Sequence, residues 1–224
     1  TPSLQEMMVQ FENNATLGTI FREKDGMPML FITGSEFEMG ATPNDENVQD
    51  NEIPQHPVSI SDFYIDQYEV SVQQFSNFLN SIEGYKGNCG NGRFDCAATG
   101  FETSFTLLLN NLGLYEATSG YGNYPINWVS WYGAADYCEW AGGRLPTEAE
   151  WQYAAQSIDN RIYPWGNTPQ PNSKLALFNQ EVARINITNV LQPVNYYPDG
   201  VSPFGAFNMA GSIWEWVEDD YAAD

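Results

Sequence analysis

The stretch from Tyr124 to Ala155, YPINWVSWYGAADYCEWAGGRLPTEAEWQYAA, places four tryptophans and a capped helix start within 32 residues. No other part of the chain limits the possible folds as tightly. A helix is expected from Ser130 to about Trp140, because Gly142-Gly143 supplies the left-handed stop that ends helices. A second helix should follow at once: Thr147 is placed as N-cap, Glu150 reaches back to it, and Glu148 lies near the positive helix end. Two short helices joined by a tight Gly-Gly-Arg-Leu-Pro link must pack against something apolar, and the rest of the chain has to provide it.

Upstream, residues 1–26 are polar with weak helical periodicity and read as an arm or linker, with the domain proper running over 27–224. The segment MLFITGSEFEMG reads as two short strands around the turn signal Thr33-Gly34-Ser35. HPVSISDFYIDQYEV alternates through Val58, Ile60, Phe63, Ile65 and Val70, for which a strand pair is the simplest account. Ser71 to Ile82 sets Val72, Phe75, Phe78 and Leu79 on one helical face, and Ser71 with Gln74 forms a capping box at its start. Residues 84–124 are glycine-rich and read as an inserted surface excursion carrying a short apolar helix over Phe105 to Leu114; long ordered loops tend to carry recognition. Beyond Ala155 regular signals fade into Asn, Gln and Pro. The whole reads as an α+β domain of few strands, two to three helices and much irregular structure.

Charge narrows the function classes. Eight Lys and Arg against 29 Asp and Glu give a net charge of -21, a field that repels phosphate backbones and anionic lipid. Nucleic acid is excluded as a partner, while divalent cations and basic proteins are drawn in. No apolar run approaches the roughly 20 residues of a membrane helix, so no membrane span is expected. The loop GNCGNGRFDC holds Cys89 and Cys96, and a small disulfide ring is favoured there over a metal clip, because three cysteines and the single histidine, His56, are too few for a zinc site beside it. An oxidising location is then expected, meaning secreted, cell-surface or periplasmic. Cys138 lies between aromatics on the predicted helix and reads as a buried, inert thiol.

Five motifs occur in a recognisable order: EMG; EIPQHPVSISDFYIDQYEVSVQQF; the Tyr124–Ala155 block with its RLPTEAEW; YPWGN; and QPVNYYPDGVSPFGAFNMAGSIWEW. Together they resemble the formylglycine-generating enzyme family, also called the sulfatase-modifying-factor family, over about Met27 to Asp220. The resemblance implies that family's variant of the C-type lectin fold, a twisted, mostly antiparallel sheet with two main helices. It also implies a calcium site built from the Asn208 side chain, the carbonyls of Gly211 and Ile213, and the Glu215 carboxylate, all hard oxygen donors. Where the family usually has Asn, this chain has Ser212. A second implied calcium site falls on Asn179, Gln180, Asn186 and Thr188.

The family's oxidase chemistry rests on a copper-binding cysteine pair in the segment after the WEW motif, and the C-terminal strands of the family are expected to be missing here. Cys89, Cys96 and Cys138 do not replace that pair, and His56 alone supports neither iron chemistry nor a nucleophilic triad. The resulting expectation is a noncatalytic, calcium-stabilised, exported binding or structural module, a subunit of a larger assembly. The alternative is the N-terminal portion of a copper-dependent formylglycine-generating oxidase acting on sulfatase cysteines, with copper as cofactor only in that case. Either way a protein partner, or the family's C-terminal segment, is expected to pack near Trp214 to Tyr221, because unpaired edges and bare aromatics are normally covered.

Overall fold

A computed structural model of the protein describes residues 19–42, 48–82, 88–100, 103–178 and 190–220. Its sheets are short and antiparallel. Strand β1 (Ile20–Phe21) pairs with β2 (Pro28–Ile32), which pairs with β5 (Phe63–Asp66); β3 (Glu36–Met39) pairs with β4 (His56–Ser59). The strands fall where alternation placed them, but β4 and β5 do not pair with each other. The register runs without a slip from Met29↔Asp66 through Ile32↔Phe63 to Glu36↔Ser59 and Met39↔His56. The two ladders are therefore halves of one long ribbon, broken where Thr33–Ser35 faces Ile60–Asp62. The Ile60 N–H still donates to the Ser35 carbonyl across the break, at 2.8 Å. Pattern alone locates strands; pairing depends on which segment folds back onto which.

The sheet also begins upstream of Met27. Ile20 and Phe21 extend it, and the Arg22 guanidinium grips both Asp25 and Asp66, at 2.6 and 2.8 Å for the shortest contacts. Asp25 in turn accepts a 2.5 Å hydrogen bond from the Tyr137 hydroxyl. Residues 20–26 thus belong to the domain rather than to an arm.

Helix α1 (Val72–Ser81) starts at Ser71 in the expected capping box with Gln74, and its apolar face, Val72, Phe75, Phe78 and Leu79, is wholly buried. Helix α2 (Trp131–Ala141) is capped by Ser130, and Gly142 closes it in the left-handed conformation. Helix α3 (Glu148–Gln156) opens with the Thr147–Glu150 capping box. All three starts follow from short polar side chains satisfying the free N–H groups of a first helical turn.

Two readings of the 84–124 segment are corrected. Phe105 to Leu114 is not a helix: β8 (Leu108–Asn111) and β9 (Leu114–Ala117) form a hairpin. The turn between them puts Leu112 and Gly113 at φ +55° and +90°, with the Gly113 N–H donating to Asn110 Oδ1. Such a Leu-Gly tip reverses the chain and overrides the apolar periodicity. Nor is the segment a mere surface excursion. Leu107, Leu108, Tyr115, Cys89 and Cys96 are buried and pack with α1, Tyr137 and Ala141 in one core cluster. The Cys89–Cys96 disulfide forms as expected, with strands β6 (Asn88–Cys89) and β7 (Phe94–Asp95) closing its ring.

A second core cluster joins Leu30, Ile32 and Phe37 of the ribbon to Tyr153, Ala154 and Ala155 of α3 and to Ala206 and Met209. The first cluster holds the α1–α2 side of the molecule and the second the ribbon–α3 side. Segment 207–217 runs between them.

Candidate functional site

Between the two clusters opens a cleft of about 1020 Å³. Its lining comes from β5 and the link to α1, from α2, from the α2–α3 connection, and from residues 207–216. Aromatic side chains dominate its rim, and they are bare: Trp214 is 99% exposed, Trp128 57% and Trp216 49%. Among the described residues, Trp214–Asp220 joins no strand. Side chains tie it down instead. Trp216 Nε1 donates to the Val129 carbonyl, Trp131 Nε1 to the Val217 carbonyl, and the Glu148 N–H at the start of α3 to Asp219 Oδ2. Tryptophans on α2 and in its approach thus act as brackets for a segment that has no sheet of its own.

The floor of the cleft is acidic. Arg22 there serves two carboxylates, Asp25 and Asp66. Burial alone would push Asp25 up, but the Arg22 guanidinium and the Tyr137 hydroxyl hold it below the ordinary carboxylate value. Asp66 behaves oppositely: burial, opposed by Arg22 and reinforced by Asp25, raises it to about 6. One cation cannot hold two buried acids fully ionised, so one of the pair titrates high.

Above this ion cluster stands Glu69, which is only 6% exposed. Its Oε2 accepts a 2.6 Å hydrogen bond from Asn208 Nδ2, whereas its Oε1 has no hydrogen-bond partner. Burial and the neighbouring Glu215 raise it to about 8; the nearby Ser212 hydroxyl and Ile213 N–H work against that shift without satisfying Oε1. Asn208 also donates to the Val194 carbonyl at 3.0 Å. Both hydrogens of its amide nitrogen are thereby engaged, and what the side chain has left to offer is its oxygen.

The loop that follows has an unusual backbone. Asn208 and Ser212 take φ +57° and +61°, and Gly211 takes +80°. A Cβ at position 211 would lie 2.1 Å from the Leu177 carbonyl oxygen, so only glycine fits. The left-handed conformation at Ser212 also suits Asn, the residue the family usually has there. Glu215 lines the cleft and accepts a 2.5 Å hydrogen bond from Trp151 Nε1; its packed surroundings and Asp66 push its carboxyl upward even though the residue stays open to solvent.

Of the four residues of the first expected calcium site, the structure brings Asn208 and the Gly211–Ile213 backbone around Glu69, and holds Glu215 against Trp151. Among the described residues no three His, Cys, Asp or Glu side chains converge as a metal cluster. The donor set is instead one of neutral oxygens plus few carboxylates, and an orphaned buried carboxylate oxygen lies within it; calcium fits such a set. The second expected site, Asn179, Gln180, Asn186 and Thr188, lies outside the described residues. Copper does not fit the cysteines present. Cys89 and Cys96 are consumed by their disulfide, and burial pushes the solitary Cys138 thiol up to about 12. Sequence reading missed Arg22, Asp25, Asp66 and Glu69. Their partners lie 44 to 139 residues away, and acids carry no distinguishing pattern in so acidic a chain.

Comparison with known proteins agrees with this geometry. A formylglycine-generating enzyme of Thermomonospora curvata is 33% identical over 224 residues, covering 88% of this chain and 72% of the relative. A formylglycine-generating enzyme of Mus musculus is 31% identical over 228 residues, covering 85% of this chain and 58% of the relative, so the chain spans little more than half of that protein's length. The solved structure of PvdO from Pseudomonas aeruginosa superposes with a TM-score of 0.67 at 23% identity, over 93% of this chain and 77% of that one, which shows a shared fold. The family description "Sulfatase-modifying factor enzyme 1-like domain" matches residues 17–224. With the capped helix pair, the bracketed WEW segment and this match, the chain belongs to the sulfatase-modifying factor family.

Proposed function

We propose that this chain is a noncatalytic, calcium-stabilised binding or structural module of the sulfatase-modifying factor family, exported to an oxidising compartment and working as a subunit of a larger assembly. The observation that carries the reading is the aromatic cleft. Three bare tryptophans stand around a recess of about 1020 Å³, and aromatic anchors of this kind are where partner segments gain most of their binding energy. A protein segment packed on Trp214 and its neighbours would cover them. Support for calcium comes from Asn208, whose free oxygen adjoins an unpaired buried carboxylate oxygen. Support for export comes from the buried disulfide, a bond that persists in oxidising compartments.

The second reading is favoured by the identity to formylglycine-generating enzymes and by the part of those relatives that the chain spans. In it, the chain is the N-terminal portion of a copper-dependent oxidase acting on sulfatase cysteines, and another segment supplies the thiol pair. The two readings separate in one assay. The chain is incubated with a sulfatase-type cysteine peptide, copper, reductant and oxygen, and the peptide is followed by mass spectrometry and aldehyde trapping. An unchanged peptide is expected; catalytic conversion to the aldehyde would replace the first reading with the second.

A further inference from the structure

We infer that Glu69 supplies a second carboxylate to the calcium site, joining Asn208, the carbonyls of Gly211 and Ile213, and Glu215. This assignment rests on the calcium reading above and deepens it.

Three observations lead to it. Glu69 is one of the few charged residues in the buried interior, and one of its oxygens is bonded to Asn208 while the other has no donor. Buried carboxylate oxygens are ordinarily satisfied by N–H groups, hydroxyls or a cation. No side-chain cation is at hand: the two arginines lining the cleft are taken, Arg22 by Asp25 and Asp66, and Arg144 by Glu150 and Glu218. Finally, Glu69 and Glu215 feel each other's charge, a repulsion that a divalent cation between them turns into attraction. Calcium with Glu215 alone would leave a net positive charge inside a low-dielectric site, whereas two carboxylates neutralise it.

Asn208 links the two halves of the arrangement. Its nitrogen holds Glu69 Oε2 and the Val194 carbonyl, which fixes the amide so that its oxygen is the end left for the ion. The simpler alternative is a Glu69 that is neutral and merely packed, with no part in binding.

Calcium titration by calorimetry, with tryptophan-sensitised terbium luminescence as a second readout, decides between them on the full chain. Wild type is expected to bind calcium. Glu69→Gln should weaken that affinity at least tenfold and shrink the calcium-dependent rise in Tm, while its Tm in chelator stays at or above wild type, since a neutral amide is easier to bury. Wild-type affinity in Glu69→Gln would overturn the assignment and leave the calcium reading standing. A wild type that ignores calcium would overturn both. Should Glu69→Gln fail to fold, Glu69→Asp keeps the charge but withdraws it by one methylene; weakened binding supports the assignment, and unaltered binding overturns it.

Discussion

At the scale of single residues, the account turns on polar groups brought together from distant parts of the chain. Tyr137, buried on α2, donates to Asp25, which Arg22 also grips. A hydrogen bond to a charged group contributes about 1.5–3 kcal/mol, so Tyr137→Phe should lose roughly that much stability, read from urea unfolding at neutral pH. Cys138 supplies a pH dependence. Its thiol titrates near 9 when free and is raised by burial to about 12, so folding favours the protonated form. Its contribution is complete below about pH 9 and disappears as pH rises from there through about 12. Stability should therefore fall across that alkaline window, and Cys138→Ala should flatten the decline; an equally steep fall in the variant would show that other groups carry it. Asp25, held below its ordinary value, works in the opposite direction, and its contribution is lost only in strong acid.

At the scale of elements, helix starts were legible and pairings were not. Ser71, Ser130 and Thr147 announce helices because capping is local, a side chain bonding an N–H three residues on. The β8–β9 hairpin was hidden because its apolar residues also fit a helical period, and the decisive Leu112-Gly113 reversal is a backbone property. The ribbon was half legible: alternation located each strand, while its break at Thr33–Ser35 and the pairing of β2 with β5 depend on tertiary contacts. Packing between elements gives a sharp prediction at Gly133. A Cβ there would lie 2.1 Å from the Cys96 carbonyl oxygen, backbone against backbone. Gly133→Ala must push α2 off the disulfide loop, at a cost of about 3 kcal/mol or more given what overpacking does in tight interiors. A thermal melt with an unchanged Tm would mean that this contact is looser than described.

At the scale of the whole molecule, two core clusters flank a cleft whose floor is acidic and whose rim is aromatic. The expected calcium residues were legible only through resemblance to a family. Even so, that reading named Glu215, which Trp151 holds, and passed over Glu69, which sits against Asn208. The reason is physical: ligands contributed by one contiguous loop leave a motif, whereas a carboxylate arriving from the other core leaves none. The exposed tryptophans were legible in composition, but their convergence on one recess required the fold. The most direct test of the calcium-stabilised scaffold is a thermal melt of the chain in chelator and at rising calcium concentration. A ligand bound only to the folded state raises Tm with its concentration, by about 2.7 kcal/mol of stability at one hundred times Kd. The account predicts that climb. A melting curve identical in chelator and in saturating calcium would contradict it.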